Sequence, residues 1–305
     1  MSGLLLLGAL ALDRVGEPPL KVHPVVWMGN AVGWLRERAP AGRVGALLHG
    51  TAMALGLPLA FSALGLLERV PWAGPVLALW LLTSGFSWWG LVSAGHRVAD
   101  ALEAGDLEAA RGGLSWLCSR DPQALTAPQL AAAATESIAE NASDSLVAPL
   151  CWLVLGSPLE LGLPALLAYR CVNTLDAMIG YRTPRYEWLG KPAARLDDLL
   201  NLLPARLTAL WLLLVGLSVP QASVRGGLRT LWRDRRVTSS PNAGWPMATM
   251  AGLLGVRLDK PGHYTLGAPG RACGAADLRL ACTLSQRAML LHGGLTAAVL
   301  GALWS

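Results

Sequence analysis

Four short clusters of acidic, amide and basic side chains interrupt an otherwise apolar chain, in which only 15% of the residues are charged. We call them polar clusters 1 to 4; they span residues 135–144 (TESIAENASD), 173–182 (NTLDAMIGYR), 194–206 (ARLDDLLNLLPAR) and 240–246 (SPNAGWP). Carboxylates and amides bind Mg²⁺, and guanidinium groups bind phosphate. Because ionisable groups at membrane depth are costly and usually functional, the clusters predict a membrane enzyme that binds metal and phosphate.

Polar cluster 1 carries three carboxylates at helical spacing. Glu136, Glu140 and Asp144 are four residues apart, so a helix from about Ala127 past Asn141 would place them on one stripe. Three carboxylates on one stripe repel each other, and this cost favours a bound cation such as Mg²⁺. A solvated helix face is the alternative interpretation.

Polar cluster 2 follows an apolar stretch that ends near Tyr169. Asn173 and Asp176 therefore present an amide and a carboxylate at a membrane boundary, where such groups are usually functional. In the alternative, Asn173 is a helix N-cap and Asp176 reaches back to the backbone.

Polar cluster 3 contains two adjacent acids. Asp197 and Asp198 are followed by Asn201, with Arg195 and Arg206 on either side. This pattern offers two carboxylates for a metal and two guanidinium groups for a phosphate or carboxylate.

Polar cluster 4 is a turn that leads into a run of small residues. Pro246 suits the first turn of a helix, whose free N–H groups would bind an anion beside Ser240 and Asn242. An ordinary capped turn is the alternative. His23, near the N-terminus, is either a structural histidine or a general base or phosphate contact.

Composition indicates a membrane protein. The chain has 305 residues, 53% of them hydrophobic, and 13 tryptophans. The net charge of +5 comes from basic residues that flank apolar segments, so it predicts cytoplasmic loops and no nucleic-acid partner. The five cysteines form no CxxC pair and the five histidines have no ligand spacing, which argues against a transition-metal site.

The apolar segments predict an all-α, polytopic membrane protein. We expect a partly inserted N-terminal helix over residues 3–12, a helical hairpin from residues 44–67 and 72–92, and a last span over residues 288–304. The stretch 146–169 is interrupted and the stretch 207–219 is short, so both predict bent or re-entrant segments. The positive-inside rule would place all of the basic long loops in the cytoplasm, and spans that simply alternate in direction cannot satisfy that. Arginines at helical spacing, opposite Leu228 and Trp232, predict contact with lipid headgroups; they are Arg225, Arg229, Arg233 and Arg236.

Residues 93–145 predict a water-exposed cytoplasmic helical insert within one domain spanning residues 1–305. In this segment acids outnumber bases and apolar residues recur at helical spacing. Gly105 and Asp106 indicate a helix end followed by an N-cap, and Thr126 with Gln129 is typical of a capping box.

In order along the chain, these residues resemble the CobD/CbiB family of cobalamin-biosynthesis membrane enzymes, the adenosylcobinamide-phosphate synthases. The resemblance spans nearly the whole chain. It is carried by Leu12-Asp13-Arg14, His23-Pro24-Val25, Arg120-Asp121, Glu136 to Asn141 with Asp144 and Pro149, Asn173 to Asp176 with Gly180-Tyr181, Ala194 to Asp198 with Asn201 and Pro204-Ala205-Arg206, Ser240 to Gly244, and Tyr264 with Gly267.

The resemblance implies amide-bond formation between the propionate of adenosylcobyric acid and aminopropanol or its O-phosphate. A carboxylate and an amine do not condense spontaneously in water, so ATP and Mg²⁺ are the expected cosubstrate and metal. The expected partners are the corrinoid, the amine, the lipid bilayer and other cobalamin-assembly enzymes. The expected location is the inner (cytoplasmic) membrane, crossed several times, with the active site facing the cytoplasm.

The resemblance also implies which residues form the site. The expected catalytic residues are Glu136, Glu140, Asp144, Asp176 and Asp198, and the expected metal ligands are Glu140, Asp144, Asp197 and Asp198. The expected substrate contacts are His23, Asn141, Asn173, Arg195, Asn201, Arg206, Ser240, Asn242 and Tyr264, with Trp245 and Tyr264 against the macrocycle. The division of the acids between metal and amine recognition stays open.

Two other functions are alternatives. A membrane prenyltransferase or phosphotransferase also uses aspartate-rich helices with Mg²⁺, but it would show two DDxxD-like motifs, whereas this chain has DDxxN once. A transporter or assembly factor would place its acids along a pore between long spans. The clustering of the acids argues against that arrangement.

Overall fold

The computed structural model describes residues 2–303, and most of them are helical. The helices are α1 Gly3–Asp13, α2 Pro24–Glu37, α3 Arg43–Ser62, α4 Gly74–Gly85, α5 Trp88–Glu103, α6 Leu107–Leu114, α7 Ala127–Ala142, α8 Ala148–Gly156, α9 Gly162–Ile179, α10 Lys191–Leu200, α11 Leu202–Gly216, α12 Val224–Asp234, α13 Gly244–Leu254 and α14 Ala275–Leu303. The helical class predicted from the apolar segments is confirmed.

A small sheet lies between α13 and α14 in the chain, and the all-α prediction missed it. Its strands are β1 Val256–Lys260, β2 Tyr264–Leu266 and β3 Arg271–Ala272, in the spatial order β2-β1-β3. β1 is antiparallel to β2 and parallel to β3. Val256 and Leu258 are buried while Arg257 between them is exposed, which is the alternation typical of a strand. The run is too short for its periodicity to be distinguished from that of a helix in the sequence.

The described residues form two compact units. The first contains residues 2–87, Ala148–Asn201 and 293–303, and the second contains Trp88–Val147 and Leu202–His292. In the first unit, α9 is the central helix and packs on α2, α3, α8 and α10. In the second unit, α7 packs on α5, α13 and β1, and α13 also packs on α11 and α12. The central helices α9 and α7 thus each carry a polar cluster.

Three helical stretches among the described residues are long and apolar enough to cross a membrane. They are Arg43–Arg69, Gly74–Glu103 and Ala127–Leu159; a fourth would be α10 with α11, which are bent by 47° relative to each other. The first two stretches match the predicted hairpin. The predicted last span lies in α14, which is not one of the three, and its residue 304 lies outside the described residues.

The ends of the predicted helices in residues 93–145 are confirmed. Gly105 has φ +73°, a left-handed conformation that suits glycine, and Asp106 accepts a hydrogen bond from the Ala109 N–H at 2.9 Å. Thr126 and Gln129 form the predicted capping box at the start of α7. These helix ends could be predicted from the sequence because the residues that form each of them lie within three positions of each other.

The structure differs from the predicted water-exposed insert at α7. Every residue from Leu130 to Ala139 is buried, and α7 continues through a π-helical turn, Ser143–Val147, into α8. Four consecutive alanines, 131–134, are all buried, so this part of the helix is not exposed on any face. Burial of α7 also excludes the solvated-face interpretation for Glu136, which is 2% exposed.

Candidate active site

Asp197 lies at the centre of a hydrogen-bond network that joins α9 to α10 in the first unit. The Asn201 side-chain amide donates to Asp197 Oδ2 at 3.0 Å, and the Asn173 amide donates to Asp197 Oδ1 at 3.5 Å. Polar clusters 2 and 3 are therefore in direct contact. Asn173 lies inside α9, so the alternative that it is a helix N-cap is wrong.

A second layer of residues orients the two amides. The Tyr169 hydroxyl donates to Asn201 Oδ1 at 3.0 Å, and Arg170 Nη1 donates to Asn173 Oδ1 at 3.3 Å. Tyr169 is 1% exposed and Asn201 is 4% exposed. Since each amide oxygen receives a hydrogen bond, each amide N–H₂ group is turned toward Asp197.

Asp198, the neighbour of Asp197, lines a cavity of about 260 Å³ at the junction of α9 and α10. The cavity is lined by three cationic residues, two acids and three others, namely Arg182, Lys191, Arg195, Glu187, Asp198, Gly180, Tyr181 and Ala194. Arg195 Nη1 lies 3.8 Å from Asp198 Oδ2, and because the separation is long and the arginine is largely exposed, the pair contributes little to stability. Both guanidinium and ammonium groups thus stand beside a carboxylate, as recognition of a zwitterionic or phosphorylated ligand requires.

Asp176 belongs to the same end of α9 as this cavity. Gly180 lines the cavity, and a Cβ atom added to Gly180 would lie 2.0 Å from Asp176 Oδ1, so the carboxylate lies directly over Gly180. Burial, together with the negative charge of Asp198, raises the pKa of Asp176 to about 6. A carboxylate with this pKa accepts a proton near neutral pH more readily than an ordinary aspartate.

Gly180→Ala is expected to displace the Asp176 carboxylate and the last turn of α9, because the new methyl group would lie 2.0 Å from Oδ1 and 2.6 Å from the Asp176 carbonyl oxygen. We expect product formation to fall by about tenfold or more, as a misplaced catalytic group costs much of its effect. Enzyme turnover with purified variant protein is the measurement.

Gly33→Ala is the matched control, since a Cβ at this α2 position meets no atom within 4 Å. It is expected to retain wild-type turnover. Equal turnover in the two alanine variants would show that Asp176 does not need its observed position.

Polar cluster 1 contributes a buried ion pair in the second unit. Arg120 Nη2 donates to Glu136 Oε2 at 2.5 Å, and the Glu136 side chain is almost fully buried. Glu136 Oε1 and Arg120 Nη1 are also buried and have no hydrogen-bond partner among the described residues. Both groups of the pair therefore retain unused hydrogen-bonding capacity.

The predicted acidic stripe is interrupted. Glu136 and Glu140 lie on α7, whereas Asp144 lies in the π-helical turn Ser143–Val147, which widens the helix and rotates Asp144 away from a straight α-helical stripe. Glu140 and Asp144 are half-buried. Asn141 donates to the Leu117 carbonyl at 3.3 Å and so ties α7 to the loop after α6.

Tyr264 on β2 belongs with polar cluster 1. Burial, and next the negative charges of Glu136 and Glu140, raises the pKa of the Tyr264 hydroxyl well above its usual value. The hydroxyl lies 4.0 Å from Met247 Sδ. Tertiary structure thus brings together a predicted substrate contact and two predicted catalytic acids that are more than 120 residues apart.

Polar cluster 4 forms a capped turn with an arginine stacked on it. Ser240 Oγ accepts hydrogen bonds from the backbone N–H groups of Asn242 at 3.2 Å and Ala243 at 3.5 Å, so these donors are already used. Arg206 Nη1 donates to Asn242 Oδ1 at 3.1 Å, and its guanidinium lies 4.6 Å from the centre of the Trp245 ring. Arg206 of polar cluster 3 is thus positioned by polar cluster 4.

His23 has a structural role in the first unit. It is the N-cap of α2, with Nδ1 accepting from the Val25 N–H at 3.3 Å, and Nε2 lies 3.5 Å from Glu17 Oε2. The hydrogen bond from His23 lowers the pKa of Glu17. Its predicted substrate contact stays a prediction.

A protein-family model, described as CobD/Cbib protein, matches residues 6–291. The chain belongs to the CobD/Cbib family.

Individual members of the CobD/Cbib family match over most of their length. The cobalamin biosynthesis protein CobD of Mycobacterium tuberculosis (strain ATCC 25618 / H37Rv) is 42% identical over 292 residues, which cover 92% of this chain and 90% of the relative. The protein of the same name from Yersinia enterocolitica is 40% identical over 267 residues, covering 84% and 82%. The probable cobalamin biosynthesis protein CobD of Methanothrix thermoacetophila is 39% identical over 304 residues, covering 96% and 95%. No solved structure matches.

The acids of this CobD/Cbib family member are not arranged as a metal site made by protein alone. Among the described residues, no three His, Cys, Asp or Glu side chains converge to hold a metal ion. Mg²⁺, however, is usually bound by one or two carboxylates, water and substrate phosphates. Asp198, beside the cationic residues of the cavity, fits this second arrangement.

Sequence reasoning left several residues of these sites without a role, and three of them show why. Arg120 occurs in the resemblance, but nothing in its surroundings shows that it pairs with Glu136, sixteen residues away. Tyr169 ends an apolar stretch and is indistinguishable there from a core residue. Lys191 precedes Pro192 at a helix start, which is an ordinary place for a lysine; only the folded chain shows that it lines the cavity.

Proposed function

We infer that this CobD/Cbib family member acts in cobalamin biosynthesis, and we propose that it forms an amide between a corrinoid propionate and a small amine. The proposed substrates are adenosylcobyric acid and aminopropanol or its O-phosphate, with ATP consumed to activate the carboxylate. The proposed location is the inner (cytoplasmic) membrane, with the site facing the cytoplasm. The family, the apolar helices and the charged cavity support the proposal.

The mixed charge of the cavity beside Asp198 is the observation that carries this proposal. Arg182, Lys191 and Arg195 offer cationic groups for phosphate, while Asp198 and Glu187 offer carboxylates for an ammonium group. An amino alcohol phosphate carries both kinds of charge. A cavity of about 260 Å³ suits a small molecule of this kind or the phosphate end of a larger one.

In the proposed reaction, a propionate oxygen attacks the γ-phosphorus of ATP, which gives an acyl phosphate and releases ADP. The ammonium group first gives one proton to the Asp176 carboxylate, whose raised pKa suits this task. The neutral amine nitrogen then attacks the acyl carbon, the carbon–oxygen bond to phosphate breaks, and inorganic phosphate leaves with the second proton from nitrogen. The cationic residues of the cavity stabilise negative charge that develops on the phosphoryl oxygens.

The Asp198 carboxylate also fits a magnesium ion shared with the nucleotide. Asp198 would hold Mg²⁺ together with water and phosphate oxygens, in keeping with the few protein ligands that this ion takes, while Asp176 keeps the role of proton acceptor. When bound, Mg²⁺ would neutralise part of the charge on the ATP phosphates. The proposed protein contribution is to place the acids and cations beside the same cavity.

The decisive experiment uses the full chain, purified in detergent and supplied with adenosylcobyric acid, ATP, Mg²⁺ and aminopropanol phosphate. We expect an amide product and nucleotide consumption in equal amounts. Product at the full rate without nucleotide would exclude activation by ATP. No corrinoid binding, together with binding of an isoprenoid diphosphate, would favour the prenyltransferase alternative instead.

The proposed role of Asp176 predicts a pH dependence. Since the pKa is raised to about 6, Asp176 is mostly protonated and inactive at pH 5 and mostly ionised above pH 7. The rate kcat/KM should therefore rise about tenfold per pH unit below pH 6 and level off above it. Asp176→Asn should lower the rate and remove this limb, so that an unchanged pH profile in the variant would assign the limb to another group.

A further inference from the structure

The adjacent acids Asp197 and Asp198 have different surroundings. Both oxygens of Asp197 accept hydrogen bonds from side-chain amides, at 3.0 Å from Asn201 and 3.5 Å from Asn173. Asp198 lies 3.8 Å from Arg195 and lines the cavity. One acid is therefore turned into the interface of α9 and α10, while its neighbour faces the cavity.

The amides that bind Asp197 have a defined orientation. Asn201 donates to Asp197 only if its oxygen points the other way, and the buried Tyr169 hydroxyl donates to that oxygen at 3.0 Å. Arg170 has the same effect on Asn173, at 3.3 Å. Because Tyr169 and Arg170 each donate to an amide oxygen, both amide N–H₂ groups face Asp197, and these hydrogen bonds together favour one orientation of α10 on α9.

This orientation decides where Asp198 lies. Consecutive residues of a helix point about 100° apart, so a helix that turns Asp197 toward α9 presents Asp198 to the adjacent surface. Trp152 of α8 also donates to the Leu200 carbonyl at 3.2 Å and holds the end of α10. Rotation or sliding of α10 would break these bonds and move Asp198 away from Gly180 and Asp176.

We propose that Asp197 is a positioning residue, and that Tyr169, Asn173 and Asn201 act with it to hold Asp198 opposite Asp176 at the cavity. This inference rests on the proposed function for the reaction that takes place there. It assigns different roles to two acids that the sequence treats as one metal-binding pair. In this assignment Asp197 acts through the hydrogen bonds that it accepts. Its negative charge does not bind a metal or the substrate.

A charge exchange tests the proposal. In the double variant Asp197→Asn/Asn201→Asp, the new amide at 197 accepts from Asn173 and donates to the new carboxylate at 201, which also accepts from Tyr169. The network is thus preserved with its charge moved by one helical turn. Asn201→Asp alone places two carboxylates side by side, and the resulting repulsion should displace α10.

We expect the single variant Asn201→Asp to lose at least tenfold in kcat and the double variant to return to within about threefold of wild type. We also expect the thermal midpoint to fall in the single variant and to recover in the double variant, a coupling that two independent positions would not show. A double variant that is as stable as wild type but as inactive as the single variant would refute the proposal and make Asp197 a ligand.

Tyr169→Phe is the second test, because it removes only the hydroxyl group that orients Asn201. Its kcat should fall severalfold while the KM for the amine stays unchanged, since Tyr169 does not line the cavity. Tyr186→Phe, in the loop before α10, is the matched control and should behave as wild type. Equal kinetics for the two variants would overturn the positioning role.

The stability measurements separate this proposal from the proposed function. If the wild-type protein forms no amide, the proposed function fails, yet the thermal midpoints of the four variants still test the network. Recovery of stability in the double variant would uphold the network, and a double variant no more stable than Asn201→Asp would refute it.

Discussion

Asp198→Asn is expected to lower the rate of amide formation by at least about 100-fold, the usual effect of removing a group that acts on the reacting atoms. The substitution keeps the shape of the side chain but removes the negative charge that faces Lys191 and Arg195 across the cavity. Both a bound ammonium group and a shared Mg²⁺ need that charge. Turnover of the purified variant at saturating ATP and Mg²⁺ is the measurement.

Two comparisons make the Asp198 result interpretable. Asp106→Asn, at the exposed N-cap of α6, is the control for loss of one aspartate charge and should retain wild-type turnover, since asparagine caps a helix as well as aspartate does. Glu140→Gln, beside Tyr264 in the other unit, is expected to be inactive as well, because Glu140 is a predicted catalytic residue of polar cluster 1. Normal turnover of Asp198→Asn at limiting Mg²⁺ would contradict the proposed site.

Arg120→Met is expected to reduce the free energy of unfolding by about 3–5 kcal/mol, the range observed when one partner of a buried ion pair is removed. The remaining Glu136 carboxylate is 2% exposed and would have lost its cation. The double variant Arg120→Met/Glu136→Leu should be more stable than Arg120→Met, since it leaves no buried charge. Thermal or denaturant unfolding of detergent-solubilised protein is the measurement.

Arg257→Met is the control for the Arg120 prediction. Arg257 pairs with Asp259 at 2.6 Å, but the arginine side chain is half exposed, so its loss should cost about 1 kcal/mol or less. Equal destabilisation by the two methionine variants would contradict the special role of burial. A double variant less stable than Arg120→Met would show that Glu136 packs on something other than Arg120.

Local features were predictable from the sequence because their partners are near in the chain. The capping box at Thr126, the turn at Gly105 and the α7 start are examples, and the spans 44–67 and 72–92 are legible from length and composition. The three-stranded sheet was not predictable in the same way. Its strands are two to five residues long, and β3 pairs with β1 only after an intervening strand.

Ordered residue types along the chain determined the family, the helical class and the acids, amides and arginines on which any site depends. Tertiary structure decided which of those residues line the cavity and which hold the helices together. Hydrogen bonds reaching from α9 to α10 turned Asp197 into the helix interface and left Asp198 at the cavity, and burial paired Glu136 with Arg120. Sequence spacing specifies which face of a helix a residue occupies, but what that face meets depends on residues far away in the chain, and their contacts exist only in the folded protein.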